Sequence, residues 1–264
     1  MAYESAQKIV IKTPEQIEGI RKSGALAAAT LAYLKPFVQP GVTTIFLDKK
    51  CKEFVLDHHA LPATLYYKTF PASCCTSVND VVCHGVPNNT TILREGDILN
   101  IDVTTIYNGY FGDTCTMFKV GNISEYASNM LKIAKTCLDE GVKQCYSGNK
   151  LSNIGKSIEK YARSQGCSVV FEFCGHGVGL SFHEEPEVSH NSETHRDAIL
   201  KPGMVFTIEP MINAGKARTK IDKWDHWTAR TIDGKLSAQY EHTICITESG
   251  YELLTGDMEK LVEF

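Results

Sequence analysis

Nothing in this chain of 264 residues is long and apolar enough to cross a bilayer, since no run approaches the roughly 18 residues a membrane helix needs. The opening stretch MAYESAQKIVIK has neither the apolar centre nor the small-residue cleavage site of a secretory signal, which sets the expectation of a cytoplasmic protein. Positive charge is in short supply too. Lys and Arg number 27 against 31 Asp and Glu, for a net charge of −4, so no overall field draws the chain to nucleic acid or an anionic membrane. The 10 cysteines include no Cys-x-x-Cys pair, which excludes the common zinc knuckles, and a chain this long has no need of a disulfide scaffold. Cys51, Cys137, Cys145 and Cys245 fall in apolar or helical contexts and read as small buried hydrophobes. Cys74, Cys75 and Cys83 are less settled because they precede His84. Low-complexity segments and linkers are absent as well, so one compact domain over 1–264 is expected.

What is present is a 43% hydrophobic chain with a restarting order of elements. Thr13-Pro14 starts a helix carrying Ile17, Ile20, Leu31 and Leu34, which Pro36 ends. Thr44 is placed to cap a second helix with Leu47, Cys51, Phe54 and Val55. Strands and loops follow to about residue 120; then come helices at about 124–146 and 151–165 and strands beginning with SVVFEF. LREGDILNID (93–102) laid on LKPGMVFTIE (200–209) matches at Leu, a basic residue, Gly, two apolar positions, Ile and an acid. The same offset of 107 residues lays Gly41 on Gly148, each at a break between helices. The chain thus reads as two related halves, about 10–120 and 121–255, with Asp102 the counterpart of Glu209.

The acids carry the chemistry. NIDVTTIYNGYFGDTCT (100–116) is two strand patterns about an Asn108-Gly109 turn of the type I′ kind. That register pairs Thr104 with Asp113 and Asp102 with Cys115, leaving both aspartates on one face, about 7–8 Å apart on a diagonal. An isolated pair of this kind is more readily explained by solvent exposure at a sheet edge. Glu209 in MVFTIEPMI and Glu241 in SAQYEHTICIT repeat the pattern of an acid inside an apolar strand, where a salt-bridge partner is the simpler role. Four such acids with few equally buried bases are better explained by one divalent or dinuclear metal site. Among the histidines, His84 and His176 are flanked by glycines and His183 follows in CGHGVGLSFHEEP; His176 is expected in a Gly-rich turn. His58, His59, His190, His195 and His226 read as structural or surface residues. One imidazole with four carboxylates suits Mn, Fe, Co or Zn bridged by water, not a closed structural zinc.

The set HGVP, NIDVTTIYNGYFGDT, CGHGVGLSFHEEP, FTIEPMI and SAQYEHTI resembles the type I methionine aminopeptidases, over about residues 8–255. The resemblance implies an α/β (α+β) pita-bread fold: two pseudo-symmetric halves, a central curved antiparallel sheet and helices outside. It implies two divalent metal ions held by Asp102, Asp113, His176, Glu209 and Glu241, with Glu209 also the catalytic base. His84 and His183 fall on the substrate-contacting histidines, and Tyr67, Phe70, Cys75, Phe182 and Trp227 on the methionine pocket. Thr104 is expected to help position the substrate amine, and Thr64 departs from the commoner Cys. Only 25 residues separate His183 from Glu209, leaving no room for the helical insertion of type II enzymes. The implied substrate is the N-terminal Met of nascent polypeptides with a small second residue, cleaved by a monomer in transient contact with the ribosome. A Xaa-Pro aminopeptidase or prolidase of the same fold is the competing enzyme reading, and a pita-bread module that binds without catalysis is the third.

Overall fold

A computed structural model describes residues 8–193 and 197–256. Four α-helices lie on the outside of the described residues: α1 (Pro14–Leu34), α2 (Thr44–Asp57), α3 (Glu125–Val142) and α4 (Ser152–Ser164). Thr13 starts α1 as expected, its hydroxyl accepting the Gln16 N–H while the Gln16 side chain accepts the Thr13 N–H. For α2 the expectation is off by one residue. Thr43 is the N-cap, and the Thr44 hydroxyl instead bonds both the N–H and the carbonyl of Asn88, a partner no local pattern reveals.

The Asn-Gly turn sets the central hairpin, Ile98–Tyr107 against Tyr110–Lys119, with φ of 50° at Asn108 and 82° at Gly109. Its register is the expected one, Asp102 opposite Cys115 and Thr104 opposite Asp113. Cys75–Val78 and Leu61–Pro62 extend this antiparallel sheet. In the second half, Val205–Ile208 lies between His242–Thr247 and Gly175–Gly177. SVVFEF forms much less strand than its β-branched start suggests: only Ser168–Val169 pairs, and the chain then bends so that Phe173 and Cys174 line the central cavity.

The repeat is written in backbone hydrogen bonds. Gly41 N–H donates to Leu93 O and Gly148 N–H to Leu200 O, while Leu93 N–H donates to Val42 O and Leu200 N–H to Asn149 O. Both glycines sit at φ near 90°, where a side chain would be strained. Isolated bridges Thr43–Ile92 and Lys150–Ile199 keep the same offset. Each half has its own core, Leu31, Leu47 and Val103 under α1 and α2, and Leu138, Ile158 and Phe206 under α3 and α4. The halves meet along a seam in which Glu241 N–H donates to Cys115 O, Thr114 Oγ1 to Glu241 O, and Thr243 Oγ1 to Asp113 O.

α1 presses on the hairpin at Gly112, where an added Cβ would stand 2.1 Å from Gly24 N. Because the obstacle is main chain on both sides, a Gly112→Ala variant is expected to lose about 3 kcal/mol, read as a lower urea midpoint at unchanged m-value.

Candidate metal centre

Hairpin register delivers the first two acids. Asp102 and Asp113 share a face, and Thr104 Oγ1 donates to Asp113 Oδ1 at 2.7 Å. Glu209 and Glu241 are not inside strands. Glu209 follows Val205–Ile208, where Pro210 stops the ladder, and Glu241 sits between Ser237–Gln239 and His242–Thr247. Leaving the ladder frees each to turn inward at the seam. His176 lies in the short strand Gly175–Gly177, not in a turn; its flanking glycines serve close strand packing, since a Cβ at Gly177 would meet Glu185 O at 2.2 Å.

Carboxylate oxygens of Asp102, Asp113 and Glu241 come within 4.8 Å of one another. His176 Nε2 reaches 3.7 Å from Asp113 Oδ2 and 3.6 Å from Glu209 Oε1. Its Nδ1 lies 3.0 Å from Gly177 O, which can only accept, so that nitrogen carries the proton and the Nε2 lone pair faces the acids. Glu209 is held on three sides: Thr207 Oγ1 donates to its Oε1 at 2.8 Å, Gln239 Nε2 reaches its Oε2 at 3.2 Å, and its N–H donates to His190 Nε2 at 3.1 Å.

Burial raises the Asp102 carboxyl to about 7. Burial, and then the charge of the neighbouring acids, pushes Asp113, Glu209 and Glu241 well above the ordinary carboxylate range. Burial lowers His176 to about 4, so its imidazole is neutral and free to coordinate. Buried thiols at Cys75, Cys83 and Cys115 are pushed up and stay protonated. Four desolvated carboxylates repelling one another beside one neutral imidazole form a donor set that fits divalent cations.

All the candidate site residues line one cavity of about 290 Å³. Tyr67, Phe70 and Phe182 join Trp227 in an aromatic slot, with Phe70 edge-on to Trp227 at 5.3 Å and Tyr67 to Phe182 at 5.0 Å. Cys75 and Thr64 complete its wall. His183 stacks on Tyr67 at 4.7 Å and lies 4.0 Å from His176; His84, at a positive φ of 53°, stands edge-on to Phe173 and Trp227. Burial lowers His84 to about 4 and His183 to about 3, with repulsion from His176 adding to it, so both are neutral donors. Sequence reasoning missed Gln239, Met211 and Phe173. Gln239 was within reach, because it precedes Glu241 by two residues in the same segment. His58, His59 and His226 are exposed and His190 is buried behind Glu209, as structural or surface residues should be; His195 lies outside the described residues.

A carboxylate cage and an aromatic slot in one cavity, on two related halves, form a divalent-metal site beside a recess for an apolar side chain. The chain matches metallopeptidase family M24 over residues 18–248. It is 47% identical to the methionine aminopeptidase of Escherichia coli (strain K12), over 94% of each chain, and 46% identical to methionine aminopeptidase A of Synechocystis, over 94% of this chain and 97% of that one. The methionine aminopeptidase structure from Rickettsia prowazekii superposes with a TM-score of 0.91 at 43% identity, covering 94% of this chain and all of that one. A prolidase from Pyrococcus furiosus shares the fold, with a TM-score of 0.74, but is 22% identical and is covered over 66% of its length. The chain belongs to metallopeptidase family M24, among its methionine aminopeptidases. No helix among the described residues is long and apolar enough to cross a membrane.

Proposed function

We propose that this chain removes the N-terminal methionine of nascent polypeptides when the second residue is small. The observation that carries the reading is that one cavity holds both the carboxylate cage and a slot of aromatic rings and sulfur suited to a thioether. Asp102, Asp113, His176, Glu209 and Glu241 would hold two divalent ions, drawn from Co, Mn, Fe or Zn. Bound there, the ions would supply Lewis acidity and lower the pKa of water.

The chain's own residues do the rest. Tyr67, Phe70, Cys75, Phe182 and Trp227 take the methionine side chain, and Thr104, bonded to Asp113, helps orient the α-amine. Glu209 accepts the proton of the attacking water and passes it to the leaving amine, steadied by Thr207 and Gln239. Neutral His183 donates to the oxygen on which charge develops, and His84 contacts the peptide beyond the cleaved bond. The setting we infer is the cytoplasm, with the monomer meeting its substrate in transient contact with the ribosome, and the net charge of −4 supports no role in binding nucleic acid.

Initial rates on Met-Ala-Ser, Met-Leu-Ser and Ala-Pro-Ser peptides test the reading. Methionine release from the first is expected to exceed both others by at least about 100-fold, because a buried slot and a crowded cleft each discriminate by a few kcal/mol. Faster cleavage before proline would transfer the assignment to the Xaa-Pro enzymes. Stoichiometric metal without any turnover would leave a binding module.

A further inference from the structure

Lys12 and Glu184 form an ion pair beneath the loop that carries Phe182 and His183. The two are 172 positions apart, with Lys12 Nζ 2.5 Å from Glu184 Oε2, and the lysine side chain is wholly buried. Burying two charges costs much of what their attraction returns, so stability alone is a weak reason for such a pair. The other carboxylate oxygen shows a different use. Glu184 Oε1 accepts the N–H groups of Leu180 at 2.9 Å and Ser181 at 3.2 Å, so one carboxylate grips the bend immediately before Phe182.

The rest of the loop is anchored elsewhere. Gly179 takes φ of 130° against Ile20 of α1, and its carbonyl accepts the Phe111 N–H from the central hairpin. Lys12 is itself fixed by main chain, its N–H donating to Gly203 O in the turn that leads into Val205–Ile208. The ammonium is therefore referenced to the strand that delivers Glu209, and through Glu184 it sets where the loop lies over that strand. Phe182 and His183 follow directly, with ring centroids 4.4 Å apart and His183 4.0 Å from His176.

We propose that Lys12 is a positioning residue that acts through Glu184, holding the Leu180–Ser181 bend so that His183 and Phe182 stand over the carboxylate cage. The inference rests on the reading of His183 as a substrate contact. The test is a cycle of Lys12→Met, His183→Ala and the double variant, each metal-loaded, shown folded by circular dichroism, and assayed for kcat and KM on Met-Ala-Ser. K12M is expected to lower kcat/KM about 10- to 100-fold, the scale of a misplaced catalytic group. K12R should restore a large part of it, and K12M should cost less than about threefold more in the H183A background. Unchanged turnover in folded K12M, or a loss that adds in full to that of H183A, overturns the proposal. Near-normal turnover in H183A overturns the substrate role of His183 itself, whatever K12M does. If K12M does not fold, Glu184→Gln replaces it, keeping an acceptor for the two N–H groups but not the charge that Lys12 answers. Loss of turnover in E184Q supports the proposal, and undiminished turnover overturns it.

Discussion

Replacing Glu209 with Gln is expected to reduce methionine release from Met-Ala-Ser by about 10³-fold or more, toward the upper end of what positioned proton transfer contributes. The substitution keeps the size of the side chain and one oxygen for Thr207, so the fold should survive. What it removes is a group able to take a proton beside His176 Nε2, 3.6 Å away. It also removes one charge from a cluster whose members raise one another's pKa. The metal-free variant should therefore melt above the metal-free parent while being inactive. Near-normal turnover sinks the base assignment, and a lower metal-free Tm sinks the electrostatic account.

The second large effect is the pH dependence of the metal-free protein. Asp102 titrates at about 7 in the folded chain against an ordinary 3.8, so between these values the folded state binds more protons than the unfolded one. Stability is then fully present below about pH 4 and falls as pH rises toward about 7, by at most about 4 kcal/mol from this residue. Asp113, Glu209 and Glu241, displaced in the same direction, deepen the slope. Divalent metal reverses it, since cations favour the ionised acids. Saturating Mn²⁺ or Co²⁺ at about 1,000 times Kd stabilises by about 4 kcal/mol, roughly 10 °C in Tm, and chelation abolishes turnover. The metal-induced rise in Tm should be larger at pH 7.5 than at pH 5. A metal-free protein that becomes more stable as pH rises from 5 to 7 would contradict this picture of the cage.

These features were legible in the sequence to different depths. Asp102 and Asp113 could be placed on one face because an Asn-Gly turn fixes a two-residue hairpin and a strand alternates with period two. The repeat could be read because its glycines meet a backbone need, positive φ at Gly41 and Gly148, which survives when side chains change. Glu209 and Glu241 were found, but their local structure was not, since Pro210 and the seam end strands that apolar patterning would continue. The Thr44–Asn88 bond, the His190 support of Glu209 and the Lys12–Glu184 pair join distant segments, and no periodicity in one segment encodes its partner. The aromatic slot was legible only through resemblance, because an aromatic on a loop looks the same whether it fills a core or lines a cavity.

Thr114 and Thr243, both fully buried, stitch the two halves together through the main-chain carbonyls of Glu241 and Asp113. Two of the acids therefore give a carboxylate to the cage and a carbonyl to the seam. The seam acts as a gauge block, because a slip of one half against the other would carry Asp113 and Glu241 out of register. The spacing of the halves and the spacing of these two carboxylates are thus one quantity, kept by the stitches.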